Sequence, residues 1–241
     1  MASYICSDIH GWKERYDRMM EVIQPQDTLY VLGDVIDRGE DGIAILMDIM
    51  KRNNVIMLLG NHEYMMKQYY DAKRGNVFNG IEASIYIERW ERNHCAPTKK
   101  AFERLDEEQQ EEILTFIDHL PVVISDLCVQ DHTYYLVHGA PVTSIKEGTW
   151  DRTKLLNAGY QMEDFIWNRV MKEETFFQDR IVIVGHTPTM FYQNELPYQI
   201  WTGKAALQET LFMDIDCGCA AQNAFSRLAL VSLDTQEVTY F

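Results

Sequence analysis

The chain has 241 residues, 46% of them hydrophobic and 12% aromatic, enough to bury a sizeable core without disulfide staples. Lys and Arg number 22 against 37 Asp and Glu, and the net charge of −15 repels phosphate backbones and argues against general nucleic-acid binding. No leader-like segment or long apolar run occurs, so a cytoplasmic protein with no membrane partner is expected. The first sixty residues repeat one pattern of strand, polar loop and helix. Tyr4–Cys6 leads into Asp8, and Trp12, Tyr16, Met19, Met20 and Ile23 then recur at helical spacing. Thr28–Leu32 leads into Asp34, with Gly42–Met50 reading as helix, and Val55–Leu59 leads into Asn61, with a helix starting over Tyr64–Tyr70. Short apolar runs alternating with helices imply a buried, largely parallel sheet. Polar residues then gather beyond the strand ends, where open α/β sheets place their sites.

Between residues 71 and 121 the character changes. Arg74-Gly75-Asn76 and Asn79-Gly80 are turn signals, and Ile81–Asn93 reads as an amphipathic helix. Asp106 and Gln109 form a capping-box pattern ahead of Ile113, Leu114, Phe116 and Ile117, and Pro121 ends that helix. This reads as a helical insertion in a single catalytic domain spanning residues 1–241. Asp106–His119 is expected to pack on the core, and Arg74–Asn93 to border the site and tolerate removal. After Pro121 come the strand-like runs Val122–Leu127, Tyr134–Val137, Arg180–Val184, Thr210–Ile215, Arg227–Leu233 and Glu237–Phe241, the last two resembling a hairpin. Two sheets with helices on their outer faces fit this order. The five cysteines, Cys6, Cys95, Cys128, Cys217 and Cys219, lack disulfide-framework spacing. Cys217-Gly218-Cys219 could mark a soft-metal site, but no second cysteine pair accompanies it, so reduced, mostly buried thiols are expected.

Three motifs carry the chemistry: Ser7-Asp8-Ile9-His10-Gly11, Gly33-Asp34-Val35-Ile36-Asp37-Arg38-Gly39 and Gly60-Asn61-His62-Glu63. Each follows an apolar run and places metal-binding side chains where the strand stops. Asp8 and His10 lie two apart, so a period-two backbone would aim both to one side as a chelating pair. Carboxylate plus imidazole suits Mn²⁺, Fe or Zn²⁺ better than Ca²⁺. Taken alone, the pair reads equally as a solvated loop Asp and a stray His, Asp34 as a helix-cap residue, and Asn61 as an ordinary turn residue. Their joint occurrence in this order is what carries weight.

The three motifs resemble GDxHG, GDxxDRG and GNHE of the phosphoprotein phosphatase branch of the calcineurin-like metallophosphoesterases, with Ser7 replacing the first Gly. That branch holds small bacterial and phage serine/threonine phosphatases and related diadenosine-polyphosphate hydrolases. Two later histidines of the family match Val137-His138-Gly139 and Val184-Gly185-His186-Thr187. The resemblance implies an α/β fold with a β-sandwich core in an α/β/β/α arrangement, and two divalent ions, Mn²⁺ above Fe or Zn²⁺. It implies Asp8, His10, Asp34, Asn61, His138 and His186 as metal ligands, with Asp34 bridging. His62 would be general acid, oriented by Asp37; the competing reading makes His62 a further ligand and pairs Asp37 with Arg38. Arg38 would clamp the substrate phosphate together with a second arginine in a Trp-x-Arg context, best matched by Ile166-Trp167-Asn168-Arg169 ahead of Arg152 and Arg180. Gly39 would let the backbone turn beneath Arg38, and Glu63 and Asp216 fall on positions that orient ligands.

The function implied is metal-dependent phosphomonoester hydrolysis, foremost of phosphoserine or phosphothreonine on protein, by direct attack of a metal-bridging hydroxide. The partner would be a phosphoprotein or a phosphorylated small molecule, with the oligomeric state left open. The nearest rival is a diadenosine-polyphosphate hydrolase, for which Tyr64, Tyr69, Tyr70, Phe78, Tyr86 or Trp90 could stack an adenine. Symmetrically cleaving hydrolases tend to lack the Asp of Asp-Arg-Gly and to end the third motif in Asp. Asp37 and Glu63 therefore favour the protein-phosphatase side. A non-catalytic metal-binding scaffold should lack a ligand, acid or clamp, and none is missing here. His94, His119 and His132 repeat none of the pattern and read as structural.

Overall fold

The computed structural model describes residues 1–77, 79–170, 175–203, 205–207 and 209–241. The chain begins with β1 (Ser3–Cys6), α1 (Lys13–Met20), β2 (Thr28–Val31), α2 (Gly42–Met50), β3 (Val55–Met57) and α3 (Asn61–Lys73). The helices α4 (Gly80–Glu91), α5 (Ala96–Phe102) and α6 (Glu107–Asp118) follow. After them come β4 (Pro121–Val129), β5 (His132–Val137), β6 (Thr149–Asp151), α7 (Arg152–Asn157) and α8 (Glu163–Ile166). β7 (Ile181–Val184), β8 (Phe212–Asp214), β9 (Ala229–Ser232) and β10 (Val238–Tyr240) complete the order.

The strands form two five-stranded sheets, ordered β10-β9-β1-β2-β3 and β6-β4-β5-β7-β8. β1, β2 and β3 are parallel, as their apolar runs predict, and the antiparallel hairpin β9–β10 extends that sheet beyond β1. In the second sheet β5, β7 and β8 are parallel, whereas β4 and β6 are antiparallel neighbours. Both sheets are therefore mixed.

Strand alternation decides how the layers stack. Ile5, Tyr30, Leu32, Tyr134, Leu136, Ile181 and Ile183 come from both sheets and pack into one apolar cluster, the layer between them. Their sequence neighbours Cys6, Leu29, Val31, Tyr135, Val137, Val182 and Val184 point the other way, into the cluster shared with Ile45, Leu46, Met65 and Phe165 of the helices. Each central strand is thus buried on both faces, at about 1.5–3 kcal/mol per large aliphatic side chain. The result is the α/β/β/α sandwich expected.

Boundaries moved where local polar groups intervene. α3 begins at Asn61, earlier than apolar spacing predicts, because extended Gly60 caps it and the Asp34 carboxylate accepts the His62 N–H at 3.0 Å. α5, β6, α7 and α8 are too short for periodicity to reveal. The capping box of Asp106 and Gln109 is present, and Ile113, Leu114 and Ile117 of α6 are buried. Trp90 argues against the expectation that Arg74–Asn93 tolerates removal. It is fully buried, with its ring 5.0 Å from Tyr69 and 5.8 Å from Tyr70. Deleting it would open a cavity beneath α3. Among the described residues all five cysteines are free, four of them buried, and no helix is long and apolar enough to cross a membrane.

Candidate active site

β1 stops at Cys6, and Asp8 and His10 follow in left-handed conformations, with φ of 55° and 48°. A turn, and no continuing strand, aims this pair. The Asp8, His10 and Gly11 N–H groups donate to Gly33, Asp34 and Val35 carbonyls at 3.1, 3.0 and 2.8 Å, lacing this loop to the one after β2. Asp34, Asp37, Arg38 and His186 are left-handed too, at 53°, 68°, 68° and 67°. Non-glycine residues seldom hold that conformation unless the surroundings impose it, so strain concentrates at the predicted site. Gly39 serves close approach more than turning: a Cβ there would lie 2.5 Å from the His10 carbonyl oxygen.

Hydrogen bonds fix the imidazole tautomers. His10 Nδ1 donates to the Ile36 carbonyl at 2.9 Å, and His138 Nδ1 to the Leu32 carbonyl at 2.7 Å. A carbonyl can only accept, so each Nε2 is left to face the cleft. His10 Nε2 lies 3.8 Å from Asp8 Oδ1 and 3.7 Å from Asp34 Oδ2; His138 Nε2 lies 3.0 Å from Asn61 Oδ1 and 3.3 Å from Asp34 Oδ2. Asp34 thus divides its carboxylate. Oδ1 caps α3, and Oδ2 faces the histidines.

His62 Nδ1 donates to Asp37 Oδ2 at 2.6 Å, leaving Nε2 3.9 Å from Asp34 Oδ2. His186 Nε2 is buried with no partner among the described residues. The remaining Asp8 oxygen accepts from the Ser7 hydroxyl at 2.5 Å and the His186 N–H at 3.0 Å, so Ser7 adds a donor that glycine would lack.

The electrostatics follow from these contacts. Burial works against a charged Asp34, but His138 and His62 beside it outweigh burial and hold its carboxyl well below the usual range. Burial likewise disfavours a charged His138, yet Asp34 raises it to about 9. His186, buried beside His138, is pushed down to about 3. For His62, burial is again opposed by Asp34 and Asp37, and the net direction is up.

Glu63 answers the question of its role by geometry. Its carboxylate accepts the N–H groups of Asp34, Val35 and Ile36 at 2.9, 2.9 and 3.2 Å, fixing the loop that carries Asp34 and Asp37. Burial, then Asp34, raise its pKa to about 7 against those donors. Glu63→Ala strands these donors in the interior, and each unsatisfied group costs about 1–3 kcal/mol. A urea melt of the variant should show at least about 3 kcal/mol of lost stability. A loss under about 1 kcal/mol would mean the loop holds itself.

Eight of the ten predicted residues, Asp8, His10, Asp34, Arg38, Asn61, His62, Arg169 and His186, line one cleft of about 420 Å³. Asp37 and His138 are fully buried and touch it through His62 and Asp34. Arg38 and Arg169 are exposed, and neither makes an ion pair among the described residues. Asp216 lines the cleft as well, with Oδ1 accepting the Gly218 N–H at 2.9 Å. A larger groove of about 860 Å³, lined by Met47, Met50, Phe116 and several glutamates, contains no such donor group.

Among the described residues the aromatic rings of Trp167, from the Trp-x-Arg stretch, and of Phe191, which no spacing pattern announces, line the cleft. Of the aromatics suggested for stacking, Tyr69, Tyr70 and Trp90 form a packed cluster and Tyr64 is buried against Trp167. None of the described ones lines the cleft, and Phe78 lies outside the described residues.

The sequence profile of the calcineurin-like phosphoesterases matches residues 1–206. The chain belongs to this family. The symmetrical bis(5'-nucleosyl)-tetraphosphatase of Wigglesworthia glossinidia brevipalpis is 34% identical over 99 residues, which are 36% of this chain and 36% of that relative. The match therefore spans about a third of the relative's length. A solved candidate diadenosine tetraphosphatase shares the fold with a TM-score of 0.58 at 16% identity, covering 99% of this chain and 92% of its own. A serine/threonine protein phosphatase from Saccharomyces cerevisiae gives 0.56 at 12% identity, covering 100% and 79%.

The calcineurin-like phosphoesterases are a family that uses divalent metals, and the side chains of this chain fit such ions. His10, Asp34 and His62 form one donor group and Asp34, His138 and His186 another, the ligand atoms of each within 4.8 Å of one another. The partnerless His186 Nε2, and the imidazole nitrogens of His10 and His138 turned toward carboxylate oxygens, are the contacts a cation would satisfy.

Proposed function

We propose that residues 1–241 form one catalytic domain, with a helical insertion at about 71–121, that hydrolyses dinucleoside polyphosphates at a two-metal centre. The observation that carries the two-metal reading is the sharing of Asp34 between both donor groups. Asp8, His10 and Asp34 would hold one ion, and Asp34, Asn61, His138 and His186 the other. Imidazole, carboxylate and one amide oxygen suit Mn²⁺, Fe or Zn²⁺. When bound, such ions neutralise phosphate charge and lower the pKa of coordinated water. Arg38 and Arg169, exposed on the same cleft, bind the phosphoryl oxygens with forked donors. His62, held by Asp37, presents Nε2 to the leaving oxygen and donates the proton it carries there.

Two observations favour a dinucleoside substrate. The curated relative acts, by its name, on bis(5'-nucleosyl) tetraphosphates, although this chain keeps the Asp37 and Glu63 expected of protein phosphatases. Trp167 and Phe191 line the cleft, and a purine can stack on either. The likeness therefore reverses the order of the two substrate readings drawn from motif residues alone. A phosphoprotein substrate is favoured by one feature, the 2.6 Å contact between His62 and Asp37, because an alkoxide needs a proton more than a nucleotide phosphate does.

Parallel assay on a diadenosine tetraphosphate and a phosphoserine peptide, with Mn²⁺ added after chelation, separates the readings. The dinucleotide should show kcat/KM at least about tenfold higher, a barrier difference near 1.4 kcal/mol. The opposite ratio would return the phosphoprotein reading to first place. Turnover in excess chelator with no metal detected would remove the two-metal reading itself.

A further inference from the structure

Asp37 and Arg38 are gripped from outside their loop by the helices that follow α3. Trp90 Nε1 of α4 donates to Asp37 Oδ2 at 2.8 Å, and the Asp37 N–H donates to the Thr98 hydroxyl of α5 at 2.8 Å. The Arg38 N–H donates to the His94 carbonyl at 3.1 Å. Both gripped residues hold φ near 68°, a conformation that needs outside support. Trp90 and Asp37 are each 0% exposed, so water does not compete for the bond between them.

The carboxylate of Asp37 is unevenly occupied. Oδ2 takes both side-chain donors, His62 Nδ1 at 2.6 Å and Trp90 Nε1 at 2.8 Å, while Oδ1 has no partner among the described residues. Without the indole N–H, the only side chain left to hold the Asp37 carboxylate, among the described residues, would be the imidazole that Asp37 is meant to orient. The pair could then swing together. With it, Asp37 is anchored to a ring packed between Tyr69 and Tyr70, and His62 inherits that anchorage.

We propose that Trp90 is a positioning residue for proton transfer, acting through Asp37 on His62. The inference rests on reading His62 as the proton donor. It makes the helical insertion part of the reaction geometry in addition to a wall of the fold.

Trp90→Phe keeps an aromatic ring in the cluster and removes the N–H. The readout is the ratio of kcat/KM on an alkyl phosphate to that on p-nitrophenyl phosphate, because only the poor leaving group needs a well-placed proton. The ratio should fall about tenfold, near 1.4 kcal/mol. Adding Asp37→Asn should lower it by less than about a further twofold, since the two act in series. Equal losses on both substrates, or fully additive effects, would overturn the proposal. If the Phe variant does not fold, benzothienylalanine at position 90 keeps the bicyclic shape, places sulfur where the N–H was, and should give the same fall. His62→Asn measured alongside separates the layers. If it too leaves the ratio unchanged, the donor reading fails and takes this inference with it. If it lowers the ratio while the position-90 variants do not, only this inference fails.

Discussion

Asp34→Asn is expected to lower kcat by at least about 10³-fold, some 4 kcal/mol of barrier, while leaving the melting temperature within a few degrees. The reason lies in the two oxygens of one side chain. Oδ1 caps α3 through the His62 N–H at 3.0 Å, and an asparagine oxygen can keep that bond. Oδ2 lies 3.7, 3.9 and 3.3 Å from the Nε2 atoms of His10, His62 and His138, and an amide NH₂ there removes the charge that both donor groups share. Elemental analysis should find fewer than two ions per chain. A variant that keeps both ions and more than about a tenth of the activity would show that Asp34 is only a cap.

What the sequence revealed divides by length scale. Runs such as Thr28–Leu32 and Ile181–Val184 announce strands buried on both faces, because nothing else stays apolar at every position. The convergence of Asp8, Asp34 and Asn61 was legible because each follows such a run and parallel β1, β2 and β3 bring their ends together, whereas His186 reaches the same cleft from β7 of the other sheet. The route of convergence was not legible. Asp8 and His10 reach the cleft through left-handed turns, and a dihedral imposed by backbone bonds from another loop leaves no periodic trace.

The insertion shows the same limit. Asp106 and Gln109 carry a local cap that spacing alone reveals, whereas Trp90 meets Asp37 across 53 positions. Its burial against Tyr69 and Tyr70 looks, in sequence, like any aromatic helix face. Nothing local distinguishes it from Ile81 or Ile85 of the same helix, which are exposed. Phe191, and the stacking value of Trp167, escaped for a related reason: both come from the cleft they line, which segments scattered from Asp8 to Asp216 build.

His62→Asn tests the assignment on which proton transfer depends, and the geometry leaves two sharply different outcomes. The ring is held by Asp37 at Nδ1, and Nε2 falls within the group formed with His10 and Asp34. That placement serves a proton donor or a ligand equally well in distance. Protonation distinguishes them, because a donor engaged with Asp37 at Nδ1 must also carry a hydrogen on Nε2, which only the imidazolium does. Burial opposes this form, but Asp34 and Asp37 outweigh it and raise the His62 pKa.

The sign follows directly. A general acid is active while protonated, so kcat/KM on an alkyl phosphate should be sustained below the raised pKa and fall as pH rises through it. In His62→Asn that alkaline fall should vanish, and the rate should drop about 10²–10⁴-fold, the usual worth of a positioned acid. On p-nitrophenyl phosphate the drop should shrink to within about tenfold, since its leaving group departs with little help. Both ions should remain. A ligand would behave oppositely, losing metal by elemental analysis and losing rate on both substrates alike. The 2.6 Å contact to Asp37 favours the first outcome, because a carboxylate stabilises the imidazolium that donates.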